Sequence, residues 1–298
     1  MAKNIRYGAQ EDMTEIDKIL SEIVTLKPVS HIAHRVIDLC CDPQSSLREL
    51  VEVIKYDQSI TANLLRVCNS SYFGLMQKIV SVQQAVAYLG LSKVANLVVM
   101  GSTAYNFKTA QKGYDLGEGE LWQYSVASAI IAQDLAEKKR LGNISLVFTS
   151  ALLKDIGKLI LHTYVKDSFE EINTAVQTRG LSFIEAEKEI IGIDHAGLGA
   201  KVAESWNFPP VMVDIIRNHH NPNRAPSDDP NTPIVYLADS ICMMIGVGLG
   251  ADGLAYRYYQ EIVNRLDFSS HDLQKTIAAF WEKIKGVQEL VNLSGGGR

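Results

Sequence analysis

Apolar residues in this chain recur at intervals of three and four rather than two, the spacing that places one stripe on one side of an α-helix. Leu47, Leu50, Val51 and Ile54 form one such stripe, Ile60, Leu64, Leu65 and Cys68 a second, and Val82, Ala85, Val86 and Leu89 a third. Ser46 with Glu49 and Ser81 with Gln84 carry the spacing of a capping box, and Gly90 supplies a stop. From position 44 to position 208 there is no proline, which permits an unbroken succession of helices. Further stripes predict helices at about 119–139, 143–161, 168–179, 182–191, 194–206, 209–219 and 233–246. Two more are expected after Ala251, the last capped by Ser270 or Asp272. No convincing alternating pair of strands stands out, so the expected class is all-α.

The pattern thins in two places. Residues 108–119, KTAQKGYDLGEG, hold three glycines and few apolar positions and read as a linker or loop. Asn221 to Pro233 carries four prolines. The expected organisation is therefore a helical half over 1–107, a second helical half over 120–250, and an extension over 251–298 ending in a flexible SGGGR tail.

Composition narrows the functions. The 298 residues are 47% hydrophobic and 21% charged, with a net charge of −5. An acidic chain without a basic block argues against nucleic acid, whose binding rests on cations that neutralise phosphates. The N-terminal MAKNIRYGAQEDM has no apolar signal core, and the apolar run Ile241 to Leu249 is too short to span a bilayer. No membrane role is expected, and the expected compartment is the cytoplasm. The four cysteines form no C-x-x-C pair and read as small buried groups.

Candidate chemistry falls in the second half: Asp155 in LLKDIGKL, His195 in GIDHAGLG, His219 and His220 in RNHHNP, and Asp239 in YLADS. Imidazole and carboxylate together suit zinc, iron or manganese, provided that the helices bring them together. Taken singly, each reads more readily as a cap, a surface group or a satisfied core residue. His31 and His34, behind the N-cap candidate Ser30, read as first-turn surface groups rather than ligands. There is no phosphate loop, dinucleotide fingerprint or nucleophile elbow.

One long series of motifs goes further. Leu26-Lys27-Pro28, Asp57 before a helix, Leu65 leading into Asn69-Ser70-Ser71-Tyr72-Phe73-Gly74, and the run A-V-A-Y-L-G-L from Ala85 to Leu91 resemble the HDOD family, the HD-related output domain. LWQYSVASAIIA and ALLKDIGKLIL look like the two metal-site helices of an HD domain, and the resemblance runs from about residue 14 to about 245. It implies an HD-domain-like helical bundle behind a smaller N-terminal helical subdomain. The Asn-Ser-Ser-Tyr-Phe-Gly turn reads as a helix stop, with Tyr72 or Phe73 a possible binding surface.

The departures from the HD pattern concern its metal. Where L-W-x-H-S would place the first histidine, this chain has Tyr124, and where the His-Asp doublet would begin it has Lys154. Asp155 and, by position, Asp239 remain; His195, His219 and His220 match further positions of the HD-GYP relatives, whose His-His-Glu and Gly-Tyr-Pro runs are absent. An ammonium at Lys154 that pointed towards Asp155 and Asp239 would replace a cation's charge, and Tyr124 could donate where a ligand once stood. The resemblance thus implies a bacterial signal-transduction module without catalysis or cofactor, acting through signalling proteins or self-association. No fused receiver is apparent, so its input is expected from another chain or a ligand. The alternatives are a remodelled metal-dependent phosphohydrolase or cyclic-dinucleotide phosphodiesterase using iron, manganese or zinc, and a nucleotide or anion sensor with Lys154 as counter-charge.

Overall fold

The computed structural model describes residues 14–42, 46–248, 250–282 and 284–295. All regular structure in them is helical apart from one isolated bridge between Gln111 and Leu116. The first half holds α1 (Glu15–Ser21), α2 (His31–Cys41), α3 (Leu47–Lys55), α4 (Gln58–Cys68), α5 (Val82–Leu89) and α6 (Leu91–Thr103). The second holds α7 (Glu120–Lys138), α8 (Ile144–Leu153), α9 (Lys158–Asp167), α10 (Phe169–Arg179), α11 (Phe183–Ile190), α12 (His195–Ser205), α13 (Pro210–Asn218) and α14 (Asn231–Met244). Then come α15 (Gln260–Leu266), α16 (Ser270–Glu282) and α17 (Ile284–Gly295). Among the described residues no helix is long and apolar enough to cross a membrane.

Local chemistry sets most of these ends. The Ser46–Glu49 box closes reciprocally, and Gly90 turns the chain between α5 and α6 at φ +83°. At Ser81 only half of the box forms: Ser81 accepts from the Gln84 N–H, while the Gln84 side chain accepts from Val80 instead. At the centre α7 packs against both α8 and α14. Every residue from Ser145 to Leu153 is buried, as a helix apolar on all sides requires.

Two expectations change, and at residues 108–119 the loop alternative holds. The single helix expected over 143–161 breaks at Lys154–Gly157 into α8 and α9, through tight bonds such as the Lys158 N–H to the Asp155 carbonyl (2.9 Å). The break coincides with a close crossing: a Cβ on Gly157 would run into the His195 carbonyl and the Gly199 N–H of α12. Residues 108–119 are a packed loop, with Gly113 against the His162 carbonyl and Tyr114 fully buried. After Ala251 a 3₁₀ turn (Ala251–Ala255) and three helices follow rather than two, and Ser269 rather than Ser270 caps α16, accepting from the Asp272 N–H at 3.1 Å. The N-terminal segment and the last three residues of the tail lie outside the described residues. α17 returns to the first half, where Glu289 accepts from the Ser71 N–H at 3.0 Å and Arg66 donates to the Leu293 carbonyl at 2.6 Å.

Candidate functional site

The α8–α9 break points three charged side chains inward at once, since Lys154, Asp155 and Lys158 are all essentially inaccessible to solvent. Buried charges persist only when paired, and here each has partners on other elements. The Lys154 ammonium bonds Asp155 Oδ2 on one side and lies 2.8 Å from Asp239 Oδ1 of α14 on the other. The Tyr124 hydroxyl of α7 donates to the same Asp239 oxygen at 2.5 Å, and Lys154 sits 4.3 Å above the Tyr124 ring. Lys158 bridges Asp155 Oδ1 at 2.8 Å and Asp252 Oδ2 at 2.7 Å. Burial opposes charge on Asp155, Lys154 and Lys158, and the pairing prevails. Asp155 is held well below the usual carboxylate range by Lys154 and Lys158, and both ammonium groups are pushed up by their carboxylates.

A histidine cluster adjoins this pair. Glu187 of α11, fully buried, accepts from the Tyr114 hydroxyl at 2.6 Å, from the His195 backbone N–H at 3.0 Å and from His195 Nδ1 at 2.7 Å. Burial lowers the His195 imidazole, but Glu187 outweighs it and the net direction is up. His219 donates from Nδ1 to the Ile216 carbonyl at 2.7 Å, which leaves the Nε2 lone pair bare and without a partner among the described residues. Burial pushes His219 down to about 4, and His220 falls well below the ordinary value for the same reason, reinforced by its two histidine neighbours. Glu187 calls for a proton on His195 Nδ1, and the Nε2 atoms of His195 and His220 share one further hydrogen bond, 2.9 Å long.

All seven residues singled out from the sequence therefore meet in one interior site. The His31–His34 helix lies elsewhere: His34 Nε2 donates to the Trp206 carbonyl at 2.9 Å, and Nδ1 lies 3.4 Å from Asp38 one turn on. Four residues that complete the site went unnoticed in the sequence: Lys158, Glu187, Asp252 and Tyr114. Lys158 stands one helical step from Asp155, a spacing open to notice, but the other three come from separate segments without local signal. Lys154 is wholly enclosed by its carboxylate partners.

The site fits a divalent cation at one end and not at the other. Both oxygens of Asp155 and one of Asp239 are engaged by ammonium or phenol donors, so an ion between these two carboxylates would meet the Lys154 charge directly. At the other end, ligand atoms of Asp155, His195, His219 and His220 all lie within 4.8 Å of one another, and the bare His219 nitrogen suits a metal.

Comparison with known proteins gives the family. The family model of the HDOD domain matches residues 26–222. The chain belongs to the HDOD domain family. An HDOD domain protein of unknown function from Geobacter sulfurreducens superposes with a TM-score of 0.71 at 24% identity, covering 92% of this chain and 96% of that one. A protein from Marinobacter aquaeolei VT8, provisionally assigned to signal transduction, gives a TM-score of 0.74 at 20% identity over 95% of this chain and 65% of that one. An uncharacterized protein of Treponema pallidum (strain Nichols) is 23% identical over 253 residues, 75% of this chain, which spans only 48% of that relative. These structural likenesses carry the all-helical HDOD fold.

Proposed function

We propose that this HDOD chain is a regulatory module whose HD-derived pocket does not hydrolyse phosphate esters. The supporting observation is the Lys154 ammonium, enclosed between Asp155 and Asp239 with the Tyr124 phenol beside it. A phosphohydrolase of this ancestry needs a cation there to polarise the phosphoryl oxygen and activate water. The lysine supplies the charge but neither the open coordination position nor the Lewis acidity. Signalling then operates through shape, by contact with another protein or by a ligand that biases the helical arrangement.

A second reading draws on the histidine cluster. Asp155, His195, His219 and His220 would hold zinc, iron or manganese, and the ion would supply Lewis acidity for phosphoester hydrolysis. Against it, Lys158 already engages the Asp155 oxygen, and the Nε2 atoms of His195 and His220 are already spent on each other.

Elemental mass spectrometry per chain after incubation with each ion, beside hydrolysis of bis(p-nitrophenyl) phosphate, tests the first reading. The expected outcome is neither stoichiometric metal nor turnover in the native chain, and metal gained by the Tyr124→His/Lys154→His variant. Stoichiometric metal with turnover in the native chain would establish the second reading instead.

A further inference from the structure

Two stretches on which the family resemblance rests, Lys27-Pro28 and Asp57, take no part in the interior site. They meet instead in an open cavity of about 460 Å³ in the first half, between the segment before α2, α4, α6 and the 3₁₀ turn Ala104–Phe107. Three cations line it, Lys27, Arg66 and Lys108, against one carboxylate, Asp57. That local excess stands out in a chain of net charge −5. The volume falls in the range of roughly 300–1,000 Å³ usual for small-molecule sites.

None of the three cations is in an ion pair among the described residues. The Lys27 and Lys108 ammonium groups lie 5.1 and 5.8 Å from the centroid of the same Tyr105 ring. Arg66 donates to neutral oxygens, Asn63 Oδ1 and the Leu293 carbonyl, both at 2.6 Å. Asp57 accepts from the Ile60 N–H at 2.8 Å at the start of α4, where the helix dipole offsets its charge. Lys108 also borders a neighbouring cleft that holds Glu118 and Glu120. Its ammonium pairs with neither and keeps to Tyr105, which lines this cavity and not that cleft. The donors are held in place. Asn106 pins the Lys27 backbone, donating to its carbonyl at 2.9 Å and accepting from its N–H at 3.2 Å. Arg66 can only donate, so it draws Asn63 Oδ1 towards itself and turns Nδ2 away. That nitrogen packs over Gly101 of the cavity wall, where a Cβ would run into it, and has no acceptor among the described residues.

We propose that this cavity binds a small, multiply charged phosphate compound, whose phosphoryl oxygens accept from Lys27, Lys108 and Asn63 Nδ2 while Arg66 adds positive charge. A phosphoryl group presents three acceptor oxygens in different directions, which suits single-point ammonium and amide donors arriving from separate segments. A planar carboxylate is met best by the fork of a guanidinium, and the Arg66 fork is already engaged. The proposal stands whatever the histidine cluster binds, since the two sites share no lining residue.

Calorimetric titration and phosphorus NMR on the full chain test it, with inorganic pyrophosphate as probe and citrate as a carboxylate of comparable charge. The medium is about 0.1 M salt, in which exposed charges beyond roughly 10 Å are screened. The expected dissociation constant for pyrophosphate is about 1 mM or tighter. Lys27→Glu/Lys108→Glu should weaken it at least about tenfold, because like charges then face the ligand. Both lysines are exposed, and circular dichroism checks that the variant is folded. Lys27→Gln/Lys108→Gln, which removes charge and adds none, should show a smaller loss and keeps the test open should the first variant unfold. Lys275→Glu, on an exposed position of α16 outside the lining, should leave the affinity within about twofold. No heat or resonance shift at about ten times the expected constant would overturn the proposal. So would undiminished binding in a folded double variant, an equal loss in Lys275→Glu, or binding of citrate as tight as that of pyrophosphate.

Discussion

Lys154 is the charge around which the interior site is balanced. Its ammonium is fully enclosed and answered by Asp155 and Asp239, so removing it strands negative charge away from water. Lys154→Ala is therefore expected to lower unfolding stability by about 3–5 kcal/mol in urea titrations. Lys154→Met combined with Asp239→Asn, which removes both charges of one pair, should recover most of that loss. Recovery of nothing would mean that the pair serves geometry rather than charge balance. At this scale the sequence was informative about identities and silent about environment. Tyr124 and Lys154 were legible because a known motif marks what should stand there. Glu187, Asp252 and Tyr114 were not, because their roles arise only when α11, the turn after Gly250 and the packed loop before α7 meet around Lys158 and His195.

Helices were legible where their ends carry side-chain caps, since Ser, Asp and Glu near a first turn bond its open N–H groups. Ser46 caps as the spacing requires, and Ser182 closes a second reciprocal box at the start of α11. The break between α8 and α9 was not legible, because apolar periodicity passes through Ile156 and only a backbone crossing at Gly157 demands it. Gly157→Ala is expected to cost about 1–3 kcal/mol by overpacking and to displace α12, read as shifted His195 resonances in NMR spectra. Ser182→Ala, which opens the reciprocal box of α11, should cost about 1 kcal/mol. The box also sets a pH dependence. Burial raises the Glu185 carboxyl, but bonds from Ser182 and Arg257 lower it below its ordinary 4.5. Its contribution is thus complete above pH 4.5 and fades as pH falls through the lowered value, so Ser182→Ala and the native chain should converge in stability under acid.

At the level of the whole molecule the two halves share one apolar interior, and α17 ties the end of the chain to the turn that follows α4. The all-helical class was legible from periodicity alone, because a three-to-four spacing leaves no alternative partner for so many apolar stripes. The return of α17 was not, since nothing in an amphipathic stripe names its destination. Glu289→Ala removes the acceptor of the Ser71 N–H and hydroxyl, and about 1 kcal/mol of stability should be lost, measured as a lower urea midpoint.

That return has a consequence in time. Ser71 and Glu289 stand 218 residues apart, and Arg66 and Leu293 stand 227 apart. At a synthesis rate of roughly 5–20 residues per second, the Tyr72–Phe73 turn emerges from the ribosome roughly 10–45 s before the helix that covers it exists. A nascent chain of this protein therefore passes through a long interval with that aromatic turn not yet covered by α17.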